Sequence, residues 1–390
     1  TSRWLNAATV QMPSSHVSVL YQCSFIQTIE LTRGAKDSIG ISSISLRKHA
    51  VDSSTPSDPS PLLSEAQHSV YNLLPLHQAG YKGQGIRIGL ADGGFYNADS
   101  LSSLPLDQWL GYADFTDDED DFFGTTGNHG TLCLTSIMAQ SDGYQGAATE
   151  AEYFLFRTEE QNTESPKEID NWVAAIEMAD SMGLHIVSTS LGYTTFDNKE
   201  YNLSYADMDG HTSHGAHAAL IAARKGMLLV IAMGNDGNKD WHYLSTPADA
   251  DSILAVGAVD IFRSIANFSS FGPSADGRVK PEVCAVGKQT ALIDPNNGWV
   301  INSNGTSFAC PLLAGMAACL WSALPNATNM EIRERIIRSA DKYTHPQEQY
   351  GYGIPDAWLA YTMHSTTHLY NLADEQRPKK MFRDGHIYIL

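Results

Sequence analysis

From about residue 65 onward, short apolar segments ending in glycine-rich or acidic turns alternate with longer amphipathic ones, and this alternation limits the fold more than any other feature. Residues 86–91, 152–157, 184–190, 227–232 and 253–259 read as strands, and residues 168–182, 214–225 and 307–323 as helices. Apolar strands separated by helices need crossover connections, so they build a mostly parallel sheet covered by helices on both faces. The expected class is therefore α/β, with three layers. A chain of 390 residues is long enough to bury one large core or two.

Composition narrows the functional classes. The net charge of −19 argues against a nucleic-acid partner, which rewards a basic face. Cys23, Cys133, Cys284, Cys310 and Cys319 are scattered and odd in number, so they indicate neither a disulfide framework nor a zinc site. No apolar run reads as long enough to span a bilayer. Thr1 opens the chain without a Met, so a missing signal peptide says nothing about compartment.

Two flanking units stand apart from the alternating region. Residues 1–50 read as a small separate segment, with a short helix or strand at 16–20 and an alternating strand at 25–31. Residues 51–64 carry Pro56, Pro59 and Pro61 among serines, which is the composition of an exposed linker. Residues 364–390 form a polar tail that ends in an alternating, strand-like run from Met381 to Leu390.

Four motifs in the alternating region carry chemistry. In Asn304-Gly305-Thr306-Ser307-Phe308-Ala309-Cys310-Pro311, a glycine turn delivers Ser307 to the start of an apolar helix. The free N–H groups and positive dipole end there favour developing negative charge. Pro311 is tolerated in the first turn, whose N–H groups have no partner anyway. A lone serine in this position is usually an N-cap. The strand 86–91 runs into Asp92-Gly93-Gly94, placing an acid at a carboxyl strand end, where sites form in open α/β sheets. Asn128-His129-Gly130-Thr131 opens another apolar helix, and a buried carboxylate can hold one imidazole nitrogen while the other accepts a serine proton. The strand 228–232 ends in Met233-Gly234-Asn235, and an asparagine amide there can donate to an oxyanion. Taken singly, the Asp, His and Asn have bland readings as turn or core residues. Gly83-Gln84-Gly85 precedes its strand and so is no dinucleotide fingerprint.

With these four motifs in the order Asp92, His129, Asn235, Ser307, residues 65–363 resemble a subtilisin-like serine protease of the subtilase family, whose order of Asp, His, oxyanion Asn and Ser is the same. Ser190-Leu191-Gly192, Val256-Gly257-Ala258-Val259, Phe268-Ser269-Ser270-Phe271-Gly272-Pro273, the run 276–282 and Gly351-Tyr352-Gly353-Ile354 fit the same pattern. The chain departs from it at Asp92-Gly93-Gly94, at Leu132-Cys133-Leu134-Thr135 and at Cys284 and Val286, none of which removes a reacting group.

The resemblance implies a subtilisin-like fold and a secreted, periplasmic or cell-surface bacterial endopeptidase acting on proteins or peptides. Asp92, His129 and Ser307 would form its triad, and Asn235 would assist the oxyanion. No cofactor is needed for that chemistry. Many subtilases carry a structural calcium, for which Asp117-Asp118-Glu119-Asp120-Asp121 is the candidate here; a solvated acidic loop fits that run as well. The specificity pocket would have walls at Ser190, Leu191, Gly192 and at Met233, Gly234, and a floor at Ser245. No charge falls on these segments, so an apolar side chain before the cut bond is expected. Residues 1–33 resemble the end of an inhibitory propeptide, or else add a strand to the main fold. The last residues faintly resemble the start of a sorting domain used in type IX secretion. Two other functional classes stay open. One is an inactive subtilase fold used for binding. The other is a non-proteolytic acyl hydrolase, which would want a Gly-x-Ser-x-Gly elbow where this chain has Ala309.

Overall fold

The computed structural model describes residues 2–10, 12, 17–20, 23, 26–29, 61–116, 121–124, 127–363, 380–383 and 386–389. Its strands are β1 (Arg87–Asp92), β2 (Trp109–Asp114), β3 (Gln140–Ser141), β4 (Tyr144–Gln145), β5 (Glu152–Arg157), β6 (Ile186–Thr189), β7 (Leu228–Ala232), β8 (Leu254–Val259), β9 (Val283–Val286), β10 (Thr290–Ile293), β11 (Val300–Ser303), β12 (Lys380–Arg383) and β13 (His386–Ile389). Its helices are α1 (Val17–Leu20), α2 (Pro61–Val70), α3 (Leu74–Gln78), α4 (His129–Met138), α5 (Pro166–Ser181), α6 (His214–Lys225), α7 (Thr306–Ala323), α8 (Asn329–Arg338) and α9 (Ala357–Thr362).

Seven strands form one sheet in the order β2-β5-β1-β6-β7-β8-β9, with every neighbouring pair parallel. Side chains alternate between its faces, as the two-residue strand period requires. Ile88, Leu90, Tyr153, Leu155, Leu228, Val230, Leu254 and Val256 enter the core under α4 and α7. Phe154, Phe156, Val187, Leu229, Ile231 and Ala255 enter the core under α5 and α6. Both cores are apolar because helices cover both faces of the central strands, and the three-layer α/β class expected from the sequence is observed.

Local chemistry explains the element ends. Helix α5 starts two residues before the expected 168, because Ser165 and Glu168 form a capping box and Pro166 sits in the first turn. Helix α6 is capped by the Ser213 side chain and stopped by Gly226 at φ 106°. The sequence reading missed β2 and β9. Strand β2 is a half-exposed sheet edge, and β9 is a buried run of four residues, too short to show a period. The hairpin β10–β11 was also unforeseen, as were α2, α8 and α9.

The boundary regions differ from expectation in three places. The last four positions of the 51–64 linker, from Pro61, already belong to α2. A proline that reads as linker is also a good first helical residue. Ser64 is buried and accepts the Gln145 N–H at 3.3 Å. The strand expected over 25–31 is not formed at 26–29, the part the structure describes. The tail's alternating run is a hairpin, β12 with β13, instead of one edge strand.

Residues 2–9 dock on the outer face of α5. The Ser2 hydroxyl and the backbone N–H groups of Arg3 (3.0 Å) and Trp4 (3.3 Å) all donate to the Glu177 carboxylate. Thr9 donates to Asp170 at 2.7 Å, and Lys225 of α6 lies 5.8 Å over the Trp4 ring.

Helix α7 has the length and apolar composition of a membrane span, contrary to the sequence reading that no run qualifies, yet 89% of that stretch is buried inside the fold. It is apolar all round because it lies between the sheet and α4. The approach of α7 to the 146–148 segment depends on Gly315, where an added Cβ would lie 2.5 Å from Ala147 Cβ and 3.1 Å from Ile137 Cγ1. Gly315→Ala is therefore expected to destabilise the fold by roughly 1–3 kcal/mol through overpacking. Equilibrium denaturant unfolding of both proteins checks this, and an unchanged midpoint would contradict the close packing.

Candidate active site

Strand β1 is the topological switch point of the sheet: the chain returns on one side of it as β5 and on the other as β6. Such points open a crevice at the carboxyl strand ends. Asp92, the last residue of β1, lies there and is 1% exposed. A buried carboxylate must be hydrogen-bonded. Asp92 Oδ1 accepts the Gly93 N–H at 2.8 Å, and His129 Nδ1 donates to Oδ1 at 2.8 Å and lies 3.0 Å from Oδ2.

His129 reaches Asp92 because α4 begins hard against the end of β1. The Gly130 N–H donates to Gly94 O at 2.9 Å, and a Cβ on Gly130 would lie 2.5 Å from that oxygen and 2.9 Å from Asp92 Cβ. The residue after the histidine must therefore be glycine.

Ser307 is the second residue of α7, so its N–H belongs to the first turn, where donors have no intrahelical acceptor. The Gly305 N–H fixes the entry to the helix by donating to Gly287 O at 2.7 Å. Ser190 Oγ donates to Ser307 O at 2.8 Å, and Ser307 Oγ donates to Ser190 O at 3.4 Å. The Ser307 hydroxyl thus rests on the end of β6, not on His129. The His129 ring is 5.7 Å, centroid to centroid, from the ring of the adjoining Phe308. Asn235 Oδ1 accepts both the Thr306 N–H (2.8 Å) and the Thr306 hydroxyl (3.0 Å). That anchor fixes the amide with its Nδ2 donor end uncommitted among the described residues.

The electrostatics fit a base at His129. Burial alone would depress its pKa, but the Asp92 carboxylate outweighs burial and holds the imidazolium well above the usual imidazole range. Cys133 Sγ lies 3.9 Å from Nδ1 and adds to that rise, while burial pushes the thiol itself up.

The sequence reading missed two neighbours of the site. The Cys133 thiol donates to Ser307 O at 3.3 Å and helps seat α7 on α4. Glu159 follows the end of β5, which is in register with Asp92, and its Cβ is 3.4 Å from where a Cβ on Gly93 would lie. Burial raises Glu159 to about 8, against the hydrogen bonds it accepts from Tyr193 (2.6 Å) and Thr158 (3.0 Å). That rise favours its neutral form beside Asp92. Only the sheet register reveals this neighbour.

Of the residues expected to line a specificity pocket, Gly192, Gly234 and Ser245 lie together. A Cβ on Gly192 would lie 2.1 Å from Ser245 Oγ and one on Gly234 would lie 3.4 Å from it, so the Ser245 hydroxyl sits between the two glycine segments. Ser190 and Leu191 lead into Gly192 from the end of β6. Met233 cannot line the pocket with its side chain. It continues the alternation of Leu229 and Ile231 and is fully buried in the core under α5 and α6. It offers the site only backbone, its carbonyl accepting the Ser245 N–H at 3.4 Å.

Among the described residues, one trio could offer three metal-ligating atoms close together: Asp92, His129 and Cys133, within 4.8 Å. Its Asp–His hydrogen bonds already account for two of these side chains. Residues 117–120 of the acidic run lie outside the described residues.

Known proteins resemble this chain in sequence and fold. The profile of the Subtilase family matches residues 83–353. A thermostable alkaline protease of Halalkalibacterium halodurans is 30% identical over 294 residues, covering 75% of this chain and 72% of its own. Subtilisin DY of Bacillus licheniformis is 30% identical over 265 residues, 67% of this chain and 85% of its own. Among solved structures, MycP1 from the ESX-1 type VII secretion system superposes with a TM-score of 0.61 at 20% identity, covering 80% of this chain and 88% of its own, a likeness of fold. The chain belongs to the subtilase family. It is a subtilisin-like serine endopeptidase.

An imidazole held charged by Asp92 must lose its proton before it can accept another. The acid limb of kcat/KM is therefore expected to have its midpoint above the ordinary imidazole value of ~6.5. Asp92→Asn removes the anion that favours the charged imidazole, so it should move the midpoint down and lower kcat as well. A pH–rate series on a small ester checks both signs, and an unshifted limb in Asp92→Asn would contradict the electrostatic assignment.

Proposed function

We propose that Asp92, His129 and Ser307 are the catalytic triad and that Asn235 Nδ2 and the Ser307 N–H are the oxyanion donors. The observation that carries this reading is the Asp92–His129 pair at the mouth of the crevice that also receives the first turn of α7. Substrate binding exchanges the weak Ser307–Ser190 hydrogen bond for one to His129 Nε2; apo sites often tighten in this way. His129 takes the Ser307 proton as Oγ attacks the peptide carbonyl. The two donors hold the resulting oxyanion. His129 then protonates the leaving amine, and water hydrolyses the acyl-enzyme. No cofactor takes part in these steps.

Further features support the wider reading. The docking of residues 2–9 on Glu177 and Asp170 of α5 suits a propeptide-like segment that folds against its own protease. An extracellular or periplasmic location fits relatives such as the minor extracellular protease Epr of Bacillus subtilis, 30% identical over 320 residues. The uncharged pocket around Gly192, Gly234 and Ser245 suits an apolar side chain before the cut bond, with Ser245 narrowing the floor.

Ser307→Ala and His129→Ala should each lower kcat by about a million-fold, the order found for the subtilisin triad, with the double variant little worse. Asn235→Ala should lower kcat by about 100–1,000-fold, as for the matching subtilisin donor, with KM nearly unchanged, because the contact forms mainly in the transition state. Steady-state kinetics decide: an active Ser307→Ala would sink the triad, and an effect of Asn235→Ala confined to KM would reassign that residue to substrate binding. For the pocket, termini sequenced from digested casein should show cleavage after Leu, Met or aromatic residues, and consistent cleavage after Arg or Asp would overturn the uncharged-pocket argument.

A further inference from the structure

Beside the oxyanion donor lies a pocket of about 220 Å³ lined by Asn235, Asn238, Lys239, Phe268 and Asn304. It shares Asn235 with the reacting centre and none of its lining with the Ser190–Gly192, Gly234 and Ser245 pocket. If that pocket receives the side chain before the cut bond, this one faces the leaving-group half of the substrate.

The donors and acceptors in its lining are unevenly committed. Asn235 Oδ1 is taken by Thr306, and Asn304 Oδ1 is taken by the Gln289 N–H at 2.8 Å. Both carboxamides therefore present their N–H ends. Lys239 adds an ammonium, and no carboxylate is among the lining residues. This stands out in a chain with 44 acidic and 25 basic residues. Lys239 Nζ donates to Asp236 at 2.6 Å, which uses one of its three donors.

The turn that carries Lys239 is fixed. The Gly237 N–H donates to Phe268 O at 2.9 Å, the Asp236 N–H donates to Ser270 Oγ at 3.0 Å, and the Lys239 N–H returns to Asp236 O at 2.8 Å. A Cβ on Gly237 would lie 2.1 Å from Ser269 O, so the backbone is pressed against its neighbour. The half-buried Phe268 ring supplies an apolar wall for the stem of an incoming side chain.

We propose that this pocket is a leaving-group subsite that selects a carboxylate, the side chain of a glutamate or aspartate within two residues after the cut bond, with Lys239 as its specificity-determining residue. The proposal rests on the triad reading above. The Lys239 ammonium and the Asn304 amide match the carboxylate's acceptor oxygens, while Asn235 Nδ2 is kept for the oxyanion. The exposure of Lys239 and its pairing with Asp236 keep the expected preference modest and make it sensitive to salt.

Acyl transfer isolates this side of the site. An apolar acyl ester loads Ser307, and an added amine then competes with water. The amine nitrogen forms the new C–N bond as the C–O bond to Ser307 breaks, and the amine proton passes through His129 to Ser307 Oγ. The nucleophiles are H-Glu-NH2, H-Gln-NH2, H-Gly-Glu-NH2 and H-Gly-Gln-NH2, with H-Gly-Gly-OH against H-Gly-Gly-NH2 to separate a side-chain carboxylate from a free C-terminus. The amide-to-hydrolysis product ratio is read at low and high salt. The expected result is a preference for Glu over Gln of about three- to fivefold at one of the two positions, weakened by salt, lost in Lys239→Ala and reversed in Lys239→Glu. Ester turnover with equal use of Glu and Gln, a preference unchanged in Lys239→Glu, or a preference for the free C-terminus alone would overturn the subsite and leave the triad standing. No ester turnover at all would overturn the triad reading and the subsite with it.

Discussion

A carboxylate buried to 1% exposure must have its oxygens satisfied, and the burial of Asp92 is the constraint from which the active site follows. Its oxygens meet the Gly93 N–H and the His129 ring, and no lysine or arginine pairs with it among its described contacts. The negative charge is therefore compensated mainly by an imidazole, and that requirement raises the imidazole's proton affinity. It also requires α4 to begin in contact with β1, which Gly130 alone permits at this distance. A side chain at position 130 would part the helix from the strand and separate the acid from the base.

Ser307, the proposed nucleophile, is placed by a second set of constraints centred on the first turn of α7. Three segments are tied to it by hydrogen bonds: the end of β6 through Ser190, the end of β7 through Asn235, and the β9–β10 turn through Gly287. The helix behind this turn is apolar all round because it runs through the interior, so its position is set by packing along its length. Polar ties at one end and close packing at the other hold Ser307 where β1, β6 and β7 end. The orientation of the Asn235 amide comes from the same turn, since Thr306 takes its carbonyl end and leaves the N–H end uncommitted among the described residues.

The faces of the sheet divide the labour. The layer of α4 and α7 carries the histidine and the serine. The layer of α5 and α6 carries none of the proposed catalytic residues and instead presents Asp170 and Glu177 to residues 2–9. Glu177 accepts three donors from the first residues of the chain, so a segment without regular secondary structure is held by one carboxylate and by the packing of Trp4 and Leu5.

Much of this was legible in the sequence, for identifiable reasons. Five of the seven sheet strands and the helices α5, α6 and α7 declare themselves by apolar runs and amphipathic periods, because burial on both faces leaves little choice of residue. Asp92, His129, Asn235 and Ser307 are legible because each follows a strand end or opens a helix beside glycine, where backbone and side chain must approach closely. Other features were decided only by the tertiary structure. Strand β9 is too short to show a period, and the half-exposed β2 is an edge. Pro61 can read equally as linker or as helix start. Met233 lies next to a pocket in sequence, yet strand alternation sends its side chain into the core. Cys133 and Glu159 become neighbours of the site only when α4 is laid on β1 and β5 pairs with β1 in register. Sequence fixes which residues can stand at strand ends and helix starts; which of those ends meet depends on sheet order and register, and these are properties of pairing between segments far apart in the chain.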